Sequence, residues 1–237
     1  MRYMGGKYRQ AKVIAEHIAR LRKPGQLYLE PFLGGASVYA RVPEPKQASD
    51  LMPDVVKLWC AVRDGWQPPE RVTNEDWHRE RYAEPSALRA FLGFGCSFGA
   101  NFFQGCIAEK RDTTRLKDIV VPGKFHSEEA HSQINKKRPG IVGVIEHKSY
   151  DEHGPCDAII YCDPPYVGPA NYATGAFDHE RFWATMRQWA RNGNTVLVTE
   201  YVVPDDVEVL HVFERTQTLR VSSKDKKRLE KLVRVHA

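Results

Sequence analysis

Three acidic residues follow short apolar segments in this sequence. They are Glu30 in "LYLEPF", Asp50 in "QASD" and Asp163 in "AIIYCDPPY". Apolar runs without alternation, such as residues 158–162, are typical of strands buried on both faces. Open α/β sheets bind ligands at the carboxyl ends of their strands. We therefore predict that the three carboxylates line one binding site, although each alone could be an ordinary helix cap or turn residue.

The spacing of the first two acids suits a nucleoside. Glu30 and Asp50 are twenty residues apart with a glycine pair between them. At about this interval, an acid after the second strand of a dinucleotide-binding unit reaches the ribose hydroxyls. The glycines do not form G-x-G-x-x-G, so they predict close backbone approach and require no pyrophosphate. Near the start, "MGGKY" is not a phosphate-binding loop, yet its N–H groups and lysine could bind a carboxylate.

Strands alternate with helices around these acids. The first 65 residues predict a helix over 7–22, a strand over 26–30, a helix over 36–41, a strand ending at Asp50 and a helix from Pro53. A helix over 126–138 and strands in "GIVGVIE", "DAIIYC" and "NTVLVTEY" follow, with a helix over 178–191. "VEVLHVF" and "LEKLVRVHA" are predicted closing strands that could be antiparallel. This order indicates an α/β fold with helices on both faces of the sheet.

The alternation is lost between residues 67 and 124. Glycine, proline and aromatic residues concentrate there, above all in "FLGFGCSFGANFFQG". That stretch is too rich in glycine for a core element and too apolar for a disordered linker. We predict a small inserted lobe over residues 67–124, and a catalytic domain formed by residues 1–66 and 125–237.

Composition narrows the possible partners. The 237 residues carry a net charge of +5, and residues 215–237 alone carry +6. A basic end of this kind suits a polyanion, although it could equally be a solvated surface segment. Five scattered cysteines without a CxxC pair, and the lack of HExxH, predict neither disulfides nor zinc. Without an apolar run of membrane length or a signal peptide, we expect a cytoplasmic protein with no membrane partner.

Four motifs in a fixed order give the sequence a family resemblance. "YMGGK", "LEPFLGGASV", "SD" at 49–50 and "CDPPY" occur in that order, with the insertion before the last. The sequence thereby resembles the Dam-type adenine-N6 DNA methyltransferases over roughly residues 1–65 and 140–205. The resemblance implies a Rossmann-like mixed sheet with helices on both faces and an inserted target-recognition lobe. It also implies S-adenosylmethionine as methyl donor, S-adenosylhomocysteine as product, and a flipped target adenine.

The resemblance implies roles for individual residues. The catalytic residues that it implies are Asp163, Pro164, Pro165 and Tyr166. The cofactor-binding residues that it implies are Tyr3, Lys7, Glu30, Phe32, Gly34, Asp50, Leu51, Tyr150 and Asp163. Tyr150 is a loose match, because "KSYDE" only approximates the family's aromatic position near the cofactor base. No metal is expected.

The chemistry of an exocyclic amine agrees with this motif. Such an amine is a poor nucleophile because its lone pair is delocalised into the ring. A carboxylate at Asp163 and the carbonyl of Pro164 would accept hydrogen bonds from both N–H groups, which localises the lone pair and stabilises the developing positive charge. The prolines add no competing N–H donor. Tyr166 would offer a flat face to the extruded base.

The lobe departs from the family pattern. The best-known members carry an aromatic–Asn–Arg type hairpin that recognises GATC, which is only a weak expectation for "FGCSFGANFFQGCIAEKRDTTR". We expect amides to pair with adenine, arginines with guanine, and phenylalanines to wedge between bases unless they form the lobe's own core. The residues expected to contact DNA are Asn101, Phe102, Phe103, Gln104, Arg111, Arg115, Lys224, Lys226, Lys227 and Arg228.

The predicted activity is N6 methylation of adenine in double-stranded DNA. Methylation of cytosine N4 or of RNA adenine needs the same two acceptors, so both remain alternatives. Protein glutamine methylation is a weaker rival, because the families known for it carry Asn where this chain has Asp163. A DNA-binding protein without catalysis would have no use for a nucleoside pocket. A monomer is compatible with these expectations, in a nucleoid-associated or phage-encoded setting.

Overall fold

A seven-stranded mixed sheet forms the centre of the protein. The computed structural model describes residues 3, 5–97, 100–104, 114–116, 119–121, 126–166, 177–214 and 229–237. The strands of the sheet are β1 (Tyr28–Glu30), β2 (Lys46–Asp50), β5 (Val144–His147), β6 (Ile159–Cys162), β7 (Thr195–Glu200), β8 (Val207–Phe213) and β9 (Glu230–Val235). A separate antiparallel pair is formed by β3 (Thr114–Leu116) and β4 (Ile119–Val121).

The strand order is β5-β2-β1-β6-β7-β9-β8. Strands β5, β2, β1, β6 and β7 are parallel, whereas β9 is antiparallel to both β7 and β8. The chain thus forms the α/β fold that the alternation of elements predicted, and the two closing strands are antiparallel to each other. Because β9 runs in reverse, its first residue lies at the edge of the sheet where the parallel strands end.

Helices cover both faces of this sheet. They are α1 (Ala11–Leu21), α2 (Pro53–Arg63), α3 (Asn74–Arg81), α4 (Ala87–Ala90), α5 (His126–Lys137) and α6 (His179–Arg191). Ile159 and Tyr161 of β6 share one core with α1, α2 and α5, while Ile160 and Cys162 pack with α6 in the other. All four residues of β6 are buried, so the strand that precedes Asp163 is covered on both faces as predicted.

Two local predictions need correction. The helix predicted over 36–41 is a single 3₁₀ turn at Tyr39–Arg41. Ala36 has a φ of +51°, which an α-helix does not accommodate. The helix predicted from residue 7 begins at Ala11, because Gly5 also adopts a positive φ and residues 8–10 form a turn.

The predicted lobe is more regular than its composition suggested. It contains α3, α4 and a π-helical segment at Phe91–Cys96. Trp77, Phe91 and Phe94 belong to the same core cluster as α2 and α5, so these aromatics do not form a separate core. The boundaries at residues 66/67 and 124/125 remain a prediction. Within the described ranges, no helix is long and apolar enough to cross a membrane.

Candidate active site

The carboxyl ends of β1, β2 and β6 open into one cavity of about 400 Å³. Glu30, Asp50 and Asp163 all line it. Parallel pairing of β1 with β2 and with β6 brings these strand ends together. All the residues predicted to contact a cofactor line the cavity, namely Tyr3, Lys7, Glu30, Phe32, Gly34, Asp50, Leu51, Tyr150 and Asp163. The cavity also includes Pro164, Pro165 and Tyr166.

Asp50 holds the glycine loop that follows β1. Its Oδ2 accepts a hydrogen bond from the N–H of Gly34 at 2.8 Å, and its Oδ1 accepts one from the N–H of Met52 at 2.9 Å. Gly34 has a φ of +42°, and a Cβ there would lie 2.9 Å from the Tyr3 ring. Glycine is therefore needed at this position both for its backbone conformation and for space. Burial raises the pKa of Asp50 to about 6, opposed by these two N–H bonds.

Lys137 also holds the glycine loop. The sequence did not predict this role. Lys137 stands at the end of α5 and is buried. Its ammonium donates to the carbonyl of Gly35 at 2.5 Å and to the Ser37 hydroxyl at 2.9 Å. Burial lowers its pKa to about 8. A lysine at the end of an amphipathic helix gives no sequence signal for this role, because such positions are usually solvated.

Aromatic rings form part of the cavity lining. The rings of Phe32 and Tyr150 stack with centroids 5.3 Å apart, and Phe177 packs against both. Leu51 itself is 52% exposed and therefore open to a ligand. A cavity lined by aromatic rings and an exposed aliphatic side chain is a suitable receptor for a planar base.

Asp163 is held through one oxygen, which lies close to an ammonium and two hydroxyl groups. Its Oδ1 lies 2.5 Å from the Lys7 ammonium and 3.0 Å from the hydroxyls of both Tyr166 and Thr199. Tyr161 of β6 in turn lies within hydrogen-bond distance of Thr199, at 2.9 Å. Burial raises the pKa of Asp163, and the positive charge of Lys7 opposes that shift. The carboxylate is therefore fixed in orientation before any ligand binds.

Glu230 is a second buried carboxylate in this cluster that the sequence did not predict. Its Oε1 lies 3.1 Å from the Lys7 ammonium and accepts from the Tyr166 hydroxyl at 2.5 Å. Its Oε2 accepts from the side-chain amide of Gln10 at 2.9 Å. The Lys7 ammonium also donates to the hydroxyl of Tyr166. Glu230 is the first residue of β9, and the reversal of that strand places it beside Asp163.

Glu30 is buried beneath the cavity and has an unusual titration. It is 2% exposed, and Tyr28 donates a 2.5 Å hydrogen bond to it. Burial raises its pKa from 4.5 to about 8. At neutral pH this side chain is therefore mostly protonated, in contrast to an exposed glutamate.

The titration of Glu30 gives a testable pH dependence of stability. A raised folded pKa stabilises the protein below pH 4.5, and this contribution is lost as the pH rises through about 8. We expect Glu30→Gln, which keeps an acceptor for Tyr28, to remove this part of the pH dependence. Denaturant unfolding at pH 5 and pH 8.5 should show wild type losing a few kcal/mol (order of magnitude) relative to the variant. Parallel pH profiles of the two proteins would contradict the assignment.

The residues predicted to contact DNA fall into three groups. The first group lines the cavity together with the residues predicted to contact a cofactor; its members are Asn101, Phe102 and Gln104. Phe103 is 5% exposed with its ring 5.3 Å from that of Trp77, so a base contact would require it to leave the core. Arg115 lies in β3, but its side chain is outside the described part of the chain. Also outside the described residues are Arg111, Lys224, Lys226, Lys227 and Arg228.

An aromatic contact chain links the lobe to the glycine loop. The Tyr3 ring lies 4.7 Å from Phe94, and Phe94 lies 4.6 Å from Phe102. Gly93 makes this possible, because a Cβ there would lie 2.4 Å from the Phe102 ring. The turn at residues 100–104 is thus part of the cavity wall. In the described ranges, no group of three or more metal-ligand side chains is arranged to hold an ion.

The cavity thus combines a glycine loop, a buried acid at the end of β2 and aromatic rings at the edge where the parallel strands end. Comparison with known families extends this description. A family model described as D12 class N6 adenine-specific DNA methyltransferase matches residues 3–85. The matched segment includes Tyr3, Lys7, Glu30 and Asp50 and ends before Asp163. The match supports a methyltransferase as the class of enzyme.

Similarity to other proteins is weaker. The structure of the rRNA methyltransferase aviRa from Streptomyces viridochromogenes is 14% identical in sequence, with a TM-score of 0.40. The alignment covers 96% of this chain and 84% of that chain. A similarity of this size does not bear on the substrate. Comparison with curated protein sequences found no match.

Proposed function

We propose that this protein transfers a methyl group from S-adenosylmethionine to the N6 amine of adenine in double-stranded DNA, after the base is flipped out. One observation carries the proposal. Asp163, Pro164, Pro165 and Tyr166 line the same cavity as the whole predicted cofactor set. The match of residues 3–85 to the D12 class of adenine-specific enzymes supports the choice of adenine and of DNA.

The residues of the cavity fit S-adenosylmethionine. Asp50 uses one lone pair on each oxygen for a backbone N–H, and a carboxylate has further acceptor sites for ribose hydroxyls. Gly34 allows the backbone to approach the ligand closely. Phe32, Tyr150 and Leu51 would hold the adenine ring. When bound, the cofactor supplies an electrophilic methyl group on a sulfonium; the remaining chemistry falls to side chains of this protein.

Those side chains would present two acceptors to the attacking amine. Lys7 and Thr199 donate to Oδ1 of Asp163, so Oδ2 is the oxygen that we expect to accept from one N–H of the amine. The carbonyl of Pro164 would accept from the other. Acceptors arranged before the reaction stabilise the positive charge that develops on nitrogen without reorganisation in the transition state. Alignment of amine and methyl at roughly 3–3.5 Å supplies the rest of the acceleration.

Tyr166 is anchored by its hydroxyl group. That oxygen contacts Asp163, Glu230 and Lys7, and the ring of Tyr201 lies 4.7 Å away in a perpendicular arrangement. The hydroxyl contacts fix the position of the ring, and the perpendicular Tyr201 ring restricts its rotation. A base stacked on it would gain about 1–3 kcal/mol, comparable with the few kcal/mol needed to unstack it from a duplex.

Cytosine N4 and RNA adenine remain chemically close alternatives. Both substrates present an exocyclic amine on a planar ring, so Asp163 and Pro164 would serve them equally. The basic end of the sequence favours a polyanion without distinguishing DNA from RNA. The preference for DNA adenine rests on the family match and on the order of the motifs.

One labelling experiment separates these substrates. The protein is incubated with tritiated S-adenosylmethionine and equal amounts of duplex DNA, single-stranded DNA or RNA, and the product is digested to nucleosides. We expect label in N6-methyldeoxyadenosine from duplex DNA, and methylation-sensitive sequencing would then give the recognition site. An Asp163→Asn protein prepared in parallel controls for contaminating activity. Label confined to cytidine or to RNA would replace the proposed substrate, and no transfer to any nucleic acid would refute the proposal.

A further inference from the structure

A single buried ammonium serves two carboxylates in this site. Lys7 is 4% exposed and lies 2.5 Å from Asp163 and 3.1 Å from Glu230. Glu230 is fully buried. It forms an ion pair with Lys7 and accepts hydrogen bonds from Tyr166 and Gln10. An ammonium and two hydrogen-bond donors therefore surround this carboxyl group.

The sum of these charges matters for a cationic ligand. If Lys7 faced Asp163 alone, the pair would be neutral, and a developing positive charge nearby would gain little from it. With Glu230 included, Lys7 and the two carboxylates carry a formal charge of −1. In a buried site an unbalanced charge of this size acts over several ångströms, because little water is present to screen it.

The two other acids near the cluster, Glu30 and Glu200, contribute less negative charge because burial favours their protonated forms. Burial raises the pKa of Glu30 to about 8 and that of Glu200 to about 7. Glu200 is 1% exposed, and its Oε2 has no hydrogen-bond partner among the described residues. Tyr28, Tyr161 and Tyr166, which also face the cluster, have pKa values raised well above their usual range by burial and stay neutral.

We propose that Glu230 is a positioning residue whose charge offsets that of Lys7, so that the Asp163 side of the cavity stays negative towards the sulfonium and the reacting amine. The inference rests on the proposed function, because it assumes S-adenosylmethionine as the ligand. It goes beyond that function in giving the C-terminal strand β9 a role in the reaction. It also predicts that the site prefers the cationic cofactor over its neutral product.

The charge role can be tested by binding alone. S-adenosylmethionine carries the sulfonium charge and S-adenosylhomocysteine does not, so the ratio of their Kd values reports the electrostatics of the site. Calorimetry without nucleic acid would give both Kd values for wild type, Glu230→Gln, Glu230→Asp and Gln10→Ala. We expect Glu230→Gln to weaken the cationic ligand roughly tenfold more than the neutral one. Glu230→Asp keeps the charge, so its ratio of the two Kd values should be close to that of wild type.

Gln10→Ala is the matched control, because it removes a contact to Glu230 without changing any charge. Its ratio should equal that of wild type. Lys7→Met is a second test that needs no change at Glu230. Because this variant removes the positive charge, the protein should favour S-adenosylmethionine over S-adenosylhomocysteine more strongly than wild type does. These opposite shifts from two variants of one cluster are difficult to obtain from a loss of packing.

Turnover provides an independent measurement. Glu230→Gln should lower kcat by roughly 10- to 100-fold with little change in the KM for DNA, since Glu230 acts on the charge at the reacting amine. The charge role would be overturned if Glu230→Gln weakened S-adenosylmethionine and S-adenosylhomocysteine equally. It would also be overturned if Lys7→Met left the ratio of the two Kd values unchanged. If wild type binds neither ligand, the proposed function itself fails, whereas normal binding and methylation with an unchanged ratio would refute only the inference about Glu230.

Discussion

Replacing Asp163 with asparagine is expected to lower the rate of methyl transfer by at least about 10²–10³-fold. Lys7 and Thr199 donate to Oδ1 of this carboxylate, which leaves its other oxygen as the expected acceptor for the amine. An asparagine that keeps its oxygen at the Oδ1 position would place an N–H₂ group where the amine needs an acceptor. Two donors would then face each other, and the lone pair of the amine would lose its orientation.

The measurement compares initial rates with cofactor and nucleic acid both saturating. Asp163→Ala should be equally inactive, and both variants should keep the far-ultraviolet circular dichroism of wild type and much of its affinity for DNA. Thr199→Val is the matched comparison, because it removes one donor to Oδ1 and leaves the carboxylate in place. We expect it to reduce the rate by no more than roughly tenfold. Near-normal turnover of Asp163→Asn would exclude the acceptor mechanism.

Much of the site followed from the sequence for a simple physical reason. Strands such as β6 are short, apolar and followed by an acid, and parallel pairing brings all their carboxyl ends to one edge. The positions of Glu30, Asp50 and Asp163 were therefore fixed once the strands were identified. Gly34 was also predictable, since a glycine after a strand signals close approach of the backbone.

Residues that reach the site by long-range packing could not be predicted. Glu230 depends on β9 running antiparallel, and nothing in "LEKLVRVHA" shows which end of that strand faces the cavity. In the sequence it appeared as one of few acids in a basic segment. Lys137 depends on how α5 docks beneath the loop at Gly35. Phe103 was predicted either to wedge between bases or to belong to a core of the lobe, and its packing on Trp77 places it in the main core.

The turn at residues 100–104 brings residues predicted to contact DNA to the cavity that we expect to bind the cofactor. Asn101 and Gln104 were predicted to pair with bases, yet in this structure they line the cavity that holds Asp50 and Leu51. Contact of the same turn with both ligands would make the affinity for one depend on the other. Such coupling is reciprocal, so cofactor binding should strengthen DNA binding by the same factor that DNA strengthens cofactor binding.

Replacing Asp50 with alanine is expected to raise the Kd for S-adenosylmethionine by about 100-fold. The substitution is expected to weaken cofactor binding in two ways. The alanine side chain no longer accepts from the N–H groups of Gly34 and Met52, which frees the glycine loop, and the ribose loses its acceptor. Each lost hydrogen bond to a charged group costs about 1.5–3 kcal/mol, and a factor of ten corresponds to about 1.4 kcal/mol.

Calorimetry without nucleic acid isolates this effect from catalysis. Asp64→Ala is the matched control, because Asp64 is an exposed acid at the end of α2 that pairs only locally with Arg63. Its Kd for the cofactor should equal that of wild type. The weakening in Asp50→Ala should be similar for S-adenosylmethionine and S-adenosylhomocysteine, since both carry the same ribose. That equality would distinguish the ribose contact expected of Asp50 from the charge effect expected of Glu230. Unaltered affinity in Asp50→Ala would remove Asp50 from the ribose site.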